Sequence, residues 1–141
     1  MKVEKIKQFS VFMPNKPGAL SRLAKLFQDT QINILGIASE VRDDSGLVRI
    51  ALAHDADASS ILSKAGFSSV ETSILSVELD DEPGQLLKIA DALGEGKINI
   101  TTVYGTSSPG AKTARILIAV GNTDKALSII EDMALGRKAG S

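Results

Sequence analysis

Lys16-Pro17-Gly18-Ala19-Leu20 returns 66 residues later as Glu82-Pro83-Gly84-Gln85-Leu86, and Ile32-Asn33-Ile34 returns at the same offset as Ile98-Asn99-Ile100. Between residues 16–37 and 82–103, seven of 22 positions are identical: Pro17, Gly18, Leu20, Ala24, Ile32, Asn33 and Ile34. Leu23/Ile89 and Phe27/Leu93 exchange one apolar residue for another. Chance can supply one such tripeptide; two at one offset mark an internal duplication. The period exceeds the ~20–50 residues of the common repeat arrays and suits two copies of one small domain.

Each copy has the same pattern of elements. Phe9-Ser10-Val11-Phe12-Met13 alternates, with Phe9, Val11 and Met13 on one face, as in a half-buried strand, and Leu75-Ser76-Val77-Glu78-Leu79 repeats it. Pro17 and Pro83 stand where proline best opens a helix, because its missing N–H has no partner there. Leu20, Leu23, Ala24 and Phe27 follow at helical spacing, and Leu86, Ile89, Ala90 and Leu93 repeat the stripe. Asp29-Thr30-Gln31 and Gly94-Glu95-Gly96 end these helices. Ile32–Val41 and Ile98–Tyr104 are the next strands, turning at Asp43-Asp44-Ser45-Gly46 and Ser107-Ser108-Pro109-Gly110. Leu47–Ala53 and Ala114–Val120 are third strands. Ala58–Ala65 and Asp124–Met133 are second helices, and Ser69–Ile74 is a fourth strand for the first copy.

The second copy has no fourth strand of its own, since a polar tail follows Met133. Lys2–Lys7, just ahead of the first copy, occupies the place that Ser68–Ser73 occupies ahead of the second. It is therefore expected to supply the missing strand and tie the copies together. The domains are expected at 1–74 and 75–141, apart from that exchange. The order β-α-β-β-α-β makes the fold class α+β: two ferredoxin-like sandwiches in tandem, each an antiparallel sheet with helices on one face.

Composition narrows the function. The chain has 141 residues, 16 basic and 17 acidic, for a formal net charge of −1. A grip on nucleic acid or an anionic membrane favours a clustered basic excess. With no cysteine there are no disulfides, thiolate metal sites or cysteine nucleophiles, and the single histidine, His54, argues against a histidine-rich metal site or a Ser-His-Asp triad. Aromatics are 4% with no tryptophan, too few for a base-stacking platform. No run approaches the ~18 apolar residues of a membrane span, and Met1-Lys2-Val3-Glu4-Lys5 leads into no secretory signal. The cytoplasm is the expected location.

Asn15-Lys16-Pro17-Gly18-Ala19-Leu20…Ile32-Asn33-Ile34 and Asp81-Glu82-Pro83-Gly84-Gln85-Leu86…Ile98-Asn99-Ile100 resemble the ACT domain signature: an Asx residue, Pro-Gly, a leucine-bearing helix, then an apolar-Asn-apolar strand start. The resemblance covers essentially the whole chain as two tandem copies with no catalytic domain attached. It implies a regulatory protein that binds a free amino acid where ACT copies meet, a homodimer formed through sheet edges, and a regulated enzyme or regulator as partner. It places the ligand-binding residues at Asn15, Lys16, Pro17 and Gly18 with Asn99, and at Asp81, Glu82, Pro83 and Gly84 with Asn33. It implies no catalytic residue, metal or cofactor. In the serine-sensing ACT domains of phosphoglycerate dehydrogenases a histidine stands two residues before the Asx. Met13 and Leu79 stand there in this chain, a departure that leaves the identity of the amino acid open and admits an apolar side-chain pocket.

The chemistry suits a zwitterion. A helix N-terminus offers N–H donors and a favourable dipole to a carboxylate. Asn15, Asn33 and Asn99 offer neutral oxygens to an ammonium group and Asp81 a charged one. Plainer roles stand beside these. Asn15 and Asp81 can cap a helix or form an Asx turn, Pro-Gly can be punctuation, and Asn33 and Asn99 can bond local backbone.

The remaining motifs read as surface. His54, Asp55 and Asp57 form a loop in which an aspartate caps the next helix. Asp43-Asp44 lacks the longer oxygen-bearing loop of a calcium site. Lys2, Lys5 and Lys7 read as a solvated strand edge. Val48-Arg49-Ile50-Ala51-Leu52 and Arg115-Ile116-Leu117-Ile118-Ala119 lack the aromatics of an RNA-recognition module. No phosphate-binding glycine motif occurs. The other class left standing is a structural or protein-interaction ACT module that has lost its ligand.

Overall fold

In a computed structural model of the chain, residues 1–42, 45–53, 57–107 and 109–137 are described. Asp43, Asp44, His54, Asp55, Ala56, Ser108 and the tail from Lys138 lie outside the described residues, together with the expectations placed on them. The fold is α+β. In chain order the elements are β1 (Lys2–Pro14), α1 (Ala19–Asp29), β2 (Gly36–Arg42), β3 (Ser45–Leu52), α2 (Ser59–Lys64), β4 (Ser68–Asp80), α3 (Gln85–Glu95), β5 (Ile100–Thr106), β6 (Thr113–Val120) and α4 (Thr123–Ala134).

The expected short strands Lys2–Lys7 and Phe9–Met13 are one strand, β1, and Ser69–Ile74 runs without a break into Leu75–Leu79 as β4. No turn-forming residue stands at either junction. The chain divides into two compact units, Ile6–Thr72, and Met1–Lys5 with Ser73–Ser141. The boundary falls inside both long strands.

In the unit Ile6–Thr72 the strand order is β2-β3-β1-β4. β1 and β3 pair antiparallel from Lys7↔Leu52 to Pro14↔Ser45, and β2 and β3 from Gly36↔Ala51 to Arg42↔Ser45. Phe9, Val11 and Met13 therefore share a face with Ile50, Val48 and Gly46. That face carries the core, with Leu23, Phe27, Ala58, Leu62 and Phe67 packed on it.

In the other unit the order is β1-β4-β6-β5, with β4 and β6 antiparallel from Leu75↔Ile118 to Asp80↔Thr113. Leu75, Val77 and Leu79 pack with Ile89, Leu93, Ile118, Ala126 and Ile130, and Val3 of the N-terminal segment lies against this cluster. Lys5 Nζ pairs with Asp124 at 2.9 Å. In the first unit Lys7 pairs with Glu71 at 3.4 Å. Lys5 and Lys7 thus enter ion pairs, where a solvated edge was expected.

The helix stripes are shifted from expectation. Leu23 and Phe27 are buried, but Leu20 is 50% exposed and Leu86 48%. Ala19 and Leu26 complete the buried face of α1 in place of Leu20 and Ala24. Both phasings fit a period of 3.6, and the entry angle of the helix chooses between them. β2 and β5 begin at Gly36 and Ile100, later than Ile32 and Ile98, because each helix first closes with a left-handed residue.

The four helices among the described residues end alike. Ile32 N–H donates to Phe27 O and Gln31 N–H to Gln28 O. The same pair of bonds recurs at Phe67→Leu62 with Gly66→Ser63, at Ile98→Leu93 with Lys97→Gly94, and at Arg137→Asp132 with Gly136→Met133. This is the Schellman arrangement, whose turn residue adopts positive φ. Gly66 and Gly136 supply it at α2 and α4, whereas Gln31 (φ 57) and Lys97 (φ 60) supply it at α1 and α3.

Candidate ligand site at the strand-to-helix loops

The two Pro-Gly loops have the same backbone. Lys16 N–H donates to Pro14 O at 3.0 Å, and Glu82 N–H to Asp80 O at 2.9 Å, each a tight turn at the strand end. Gly18 then has φ 88 and ψ −11, and Gly84 φ 89 and ψ −7. These are the values of the third position of a type II turn, in which proline favours the second. Ala19 N–H closes the first turn on Lys16 O at 3.4 Å. Only glycine takes that third position without strain.

Pro17 and Pro83 are therefore turn residues rather than first residues of the helices, which begin at Ala19 and Gln85. The N-caps are Gly18 and Gly84, with no side-chain cap bond, so the N-cap position is held by glycine and not by Asn15 or Asp81. The first helical bonds run from Arg22 N–H to Gly18 O (3.0 Å) and from Lys88 N–H to Gly84 O (3.2 Å). At α2 the N-cap is Ala58, again without a side-chain bond, so Asp57 does not serve there. α4 differs: the side chain of Asn122 accepts the Lys125 N–H at 3.1 Å.

The first loop borders a cavity of about 280 Å³ lined by Met13, Pro14, Lys16, Pro17, Gly18, Ala19, Arg22 and Phe67. It thus brings together three expected site residues, Lys16, Pro17 and Gly18. The Arg22 guanidinium sits 4.4 Å from the centroid of the Phe67 ring. Phe67 is 8% exposed and forms part of the core. Behind this pair a second hollow of about 250 Å³ is bordered by Arg22, Lys25, Leu26, Asp29, Ala65 and Phe67, and there Lys25 and Asp29 pair at 2.9 Å. On the other side of Met13 and Pro14, a shallow hollow of about 540 Å³ is lined by Phe12, Glu40, Ser45, Gly46 and Leu47.

Asn15 and Asn33 are exposed in the same unit, but neither lines the cavity. Asn33 precedes β2 by three residues. In the other unit Asp81, Glu82, Pro83, Gly84 and Asn99 are all exposed. Asp81 N–H donates to Lys112 O (2.9 Å), and Asn99 O accepts the Gly121 N–H (3.3 Å).

Arg22 and Phe67 were not singled out from the sequence. Arg22 lies four residues after Gly18, one turn into α1, which aims it back at the loop. Phe67 follows Gly66, where the second helix ends. Nothing local brings the two residues together.

Among the described residues no group of three or more His, Cys, Asp or Glu side chains could hold a metal ion, and no helix is long and apolar enough to cross a membrane.

The fold has solved relatives. A Bacteroides thetaiotaomicron protein matches with a TM-score of 0.83 at 22% identity, over 94% of this chain and 90% of that one. The ligand-free regulatory subunit of aspartate kinase from Thermus thermophilus matches at 0.66 and 14%, over 93% and 94%. The regulatory subunit of aspartate kinase from Thermus flavus matches at 0.63 and 14%, over 93% and 94%. At these identities the likeness is one of fold. No curated protein sequence matches the chain. The family model described as an ACT domain pair matches residues 4–136. With the doubled Pro-Gly loop and asparagine signature in place on such a fold, the chain belongs to the ACT domain pair family.

Proposed function

We propose that the chain is a non-catalytic regulatory protein that binds a free amino acid and passes its occupancy to a partner enzyme or regulator. The observation that carries this reading is the cavity at the Pro14–Ala19 loop, in a chain of this family. The cations Lys16 and Arg22, with the positive end of the α1 dipole, suit the ligand's carboxylate. Met13 and Phe67 suit an apolar side chain. Asn15, Asn33 and Asn99, with Asp81 and Glu82, are the oxygen-bearing groups proposed for the ammonium end. Pro83 and Gly84 shape the second loop as Pro17 and Gly18 shape the first. We read the two units as two ferredoxin-like ACT copies, the second completed by Met1–Lys5. In this reading the chain is a cytoplasmic homodimer, ACT copies of the two molecules meet at the ligand, and neither nucleic acid nor membrane is a partner.

A thermal-shift screen of the twenty amino acids tests the proposal. A ligand selective for the folded state raises the melting temperature by mass action. A rise with one amino acid, or a chemically related few, is expected. Silence from all twenty at millimolar levels favours a scaffold that has lost its ligand.

A further inference from the structure

The two loops share one backbone and differ in charge. Pro14-Asn15-Lys16 leads into the first helix and Asp80-Asp81-Glu82 into the second, so one segment carries a single positive charge and the other three negative charges. Gly18 and Gly84 agree within a few degrees in φ and ψ. The difference between the loops is therefore chemical.

At the first loop the cavity walls carry two cations, Lys16 and Arg22, and no carboxylate. Neither cation is in an ion pair among the described residues. Arg22 is held against the buried Phe67 ring, which orients its donor fork. The backbone carbonyls of Pro14, Lys16 and Gly18 already accept the amides of Lys16, Ala19 and Arg22. Side-chain oxygens are absent from the lining, so an ammonium group finds only backbone carbonyls there, while a carboxylate finds two cations. The volume lies just below the ~300–1,000 Å³ of sites for drug-sized ligands, which limits the occupant to a small molecule.

We infer that the Lys16–Arg22–Phe67 cavity is a site for a small carboxylic acid with an apolar body, that the carboxylate suffices for binding so that an acid without an α-ammonium group is also held, and that the Asp80–Glu82 loop, with three carboxylates, forms no second carboxylate site, giving one site per chain. The inference rests on the proposed ligand-binding role of the loop and extends the ligand class to 2-oxo acids.

The test is thermal shift and titration calorimetry on the intact chain with two matched triplets. One is phenylalanine, phenylpyruvate and phenethylamine; the other is leucine, 4-methyl-2-oxopentanoate and 3-methylbutylamine. In at least one triplet both acids bind with one site per chain and the amine does not. Arg22→Gln weakens both acids about tenfold or more, the loss of a charge-assisted bond, and Lys88→Gln at the matching position of α3 leaves them unchanged. Binding of an amino acid without its 2-oxo acid overturns this inference and leaves the amino-acid function standing. Binding of the 2-oxo acids with no response to any amino acid does the reverse. Binding of the amines, equal effects of the two substitutions, or silence from all six compounds overturns the assignment, and in the last case the twenty-amino-acid screen decides the amino-acid reading alone.

Discussion

The Arg22 guanidinium lies 4.4 Å from the centroid of the Phe67 ring, so the fourth residue of α1 rests on the residue that closes α2. Phe67 has two attachments: its N–H completes the helix end on Leu62 O at 2.9 Å, and its ring is buried in the core. Phe67→Ala removes the ring and its burial, and is expected to cost about 3–5 kcal/mol in urea denaturation. Phe67→Leu keeps an apolar side chain, costs less, and releases Arg22. Acid binding then falls while the fold survives, which calorimetry on the Leu variant reads directly.

Gly18→Ala and Gly84→Ala test the loop backbone. A Cβ at either position meets nothing within 4 Å, yet φ is +88 and +89. The cost is therefore conformational, about 1–2 kcal/mol for each. The two values should agree within experimental error, since the turns match. A much larger cost at one position would show packing that the open space rules out. Denaturation midpoints measure both.

The duplicated Pro-Gly loops, strand faces and helix order were legible because each rests on local sequence. Phe9, Val11 and Met13, and Leu75, Val77 and Leu79, are buried as their alternation requires. The phase of the helix stripes was not legible. Leu20 with Ala24 and Ala19 with Leu26 fit the same period, and the type II turn at Gly18 sets the rotation. The charge contrast between the loops could be read from Asn15-Lys16 and Asp81-Glu82. The Arg22–Phe67 contact could not, because it joins residues 45 positions apart through the packing of two helices.

Helix ends offer a gain. Gln31 and Lys97 hold the left-handed position of their Schellman turns at φ 57 and φ 60, where glycine carries no Cβ penalty. Both side chains are exposed. Gln31→Gly and Lys97→Gly are each expected to stabilise by about 0.5–1 kcal/mol, the relief of left-handed strain less the added freedom of the unfolded chain. Two-state urea unfolding of each variant checks the sign.

The N-cap of α4 gives the opposite sign. Asn122 Oδ1 accepts the Lys125 N–H at 3.1 Å, and Asp124 adds a favourable charge in the first turn. Asn122→Ala is expected to cost about 1 kcal/mol. Asp124→Asn removes that charge and the exposed pair with Lys5, and should cost under ~1 kcal/mol. The ordering of the two losses in chemical denaturation is the check.

Gly94 and Gly105 provide a matched pair with opposite predicted effects. Gly94 lies in the last turns of α3, and a Cβ there would meet nothing within 4 Å, so Gly94→Ala should stabilise by about 0.5–1 kcal/mol through helix propensity. Gly105 lies in β5 opposite Ile116, where a Cβ would stand 2.9 Å from Arg115 O and 3.3 Å from Ile116 Cγ1. A backbone oxygen cannot swing away as a side-chain tip does, so the strand must shift. Gly105→Ala should cost about 1–3 kcal/mol, the range of overpacked sites. Hydrogen exchange then locates the loss: amides paired between β5 and β6 should lose protection while those between β2 and β3 keep theirs, because the two pairs belong to different compact units.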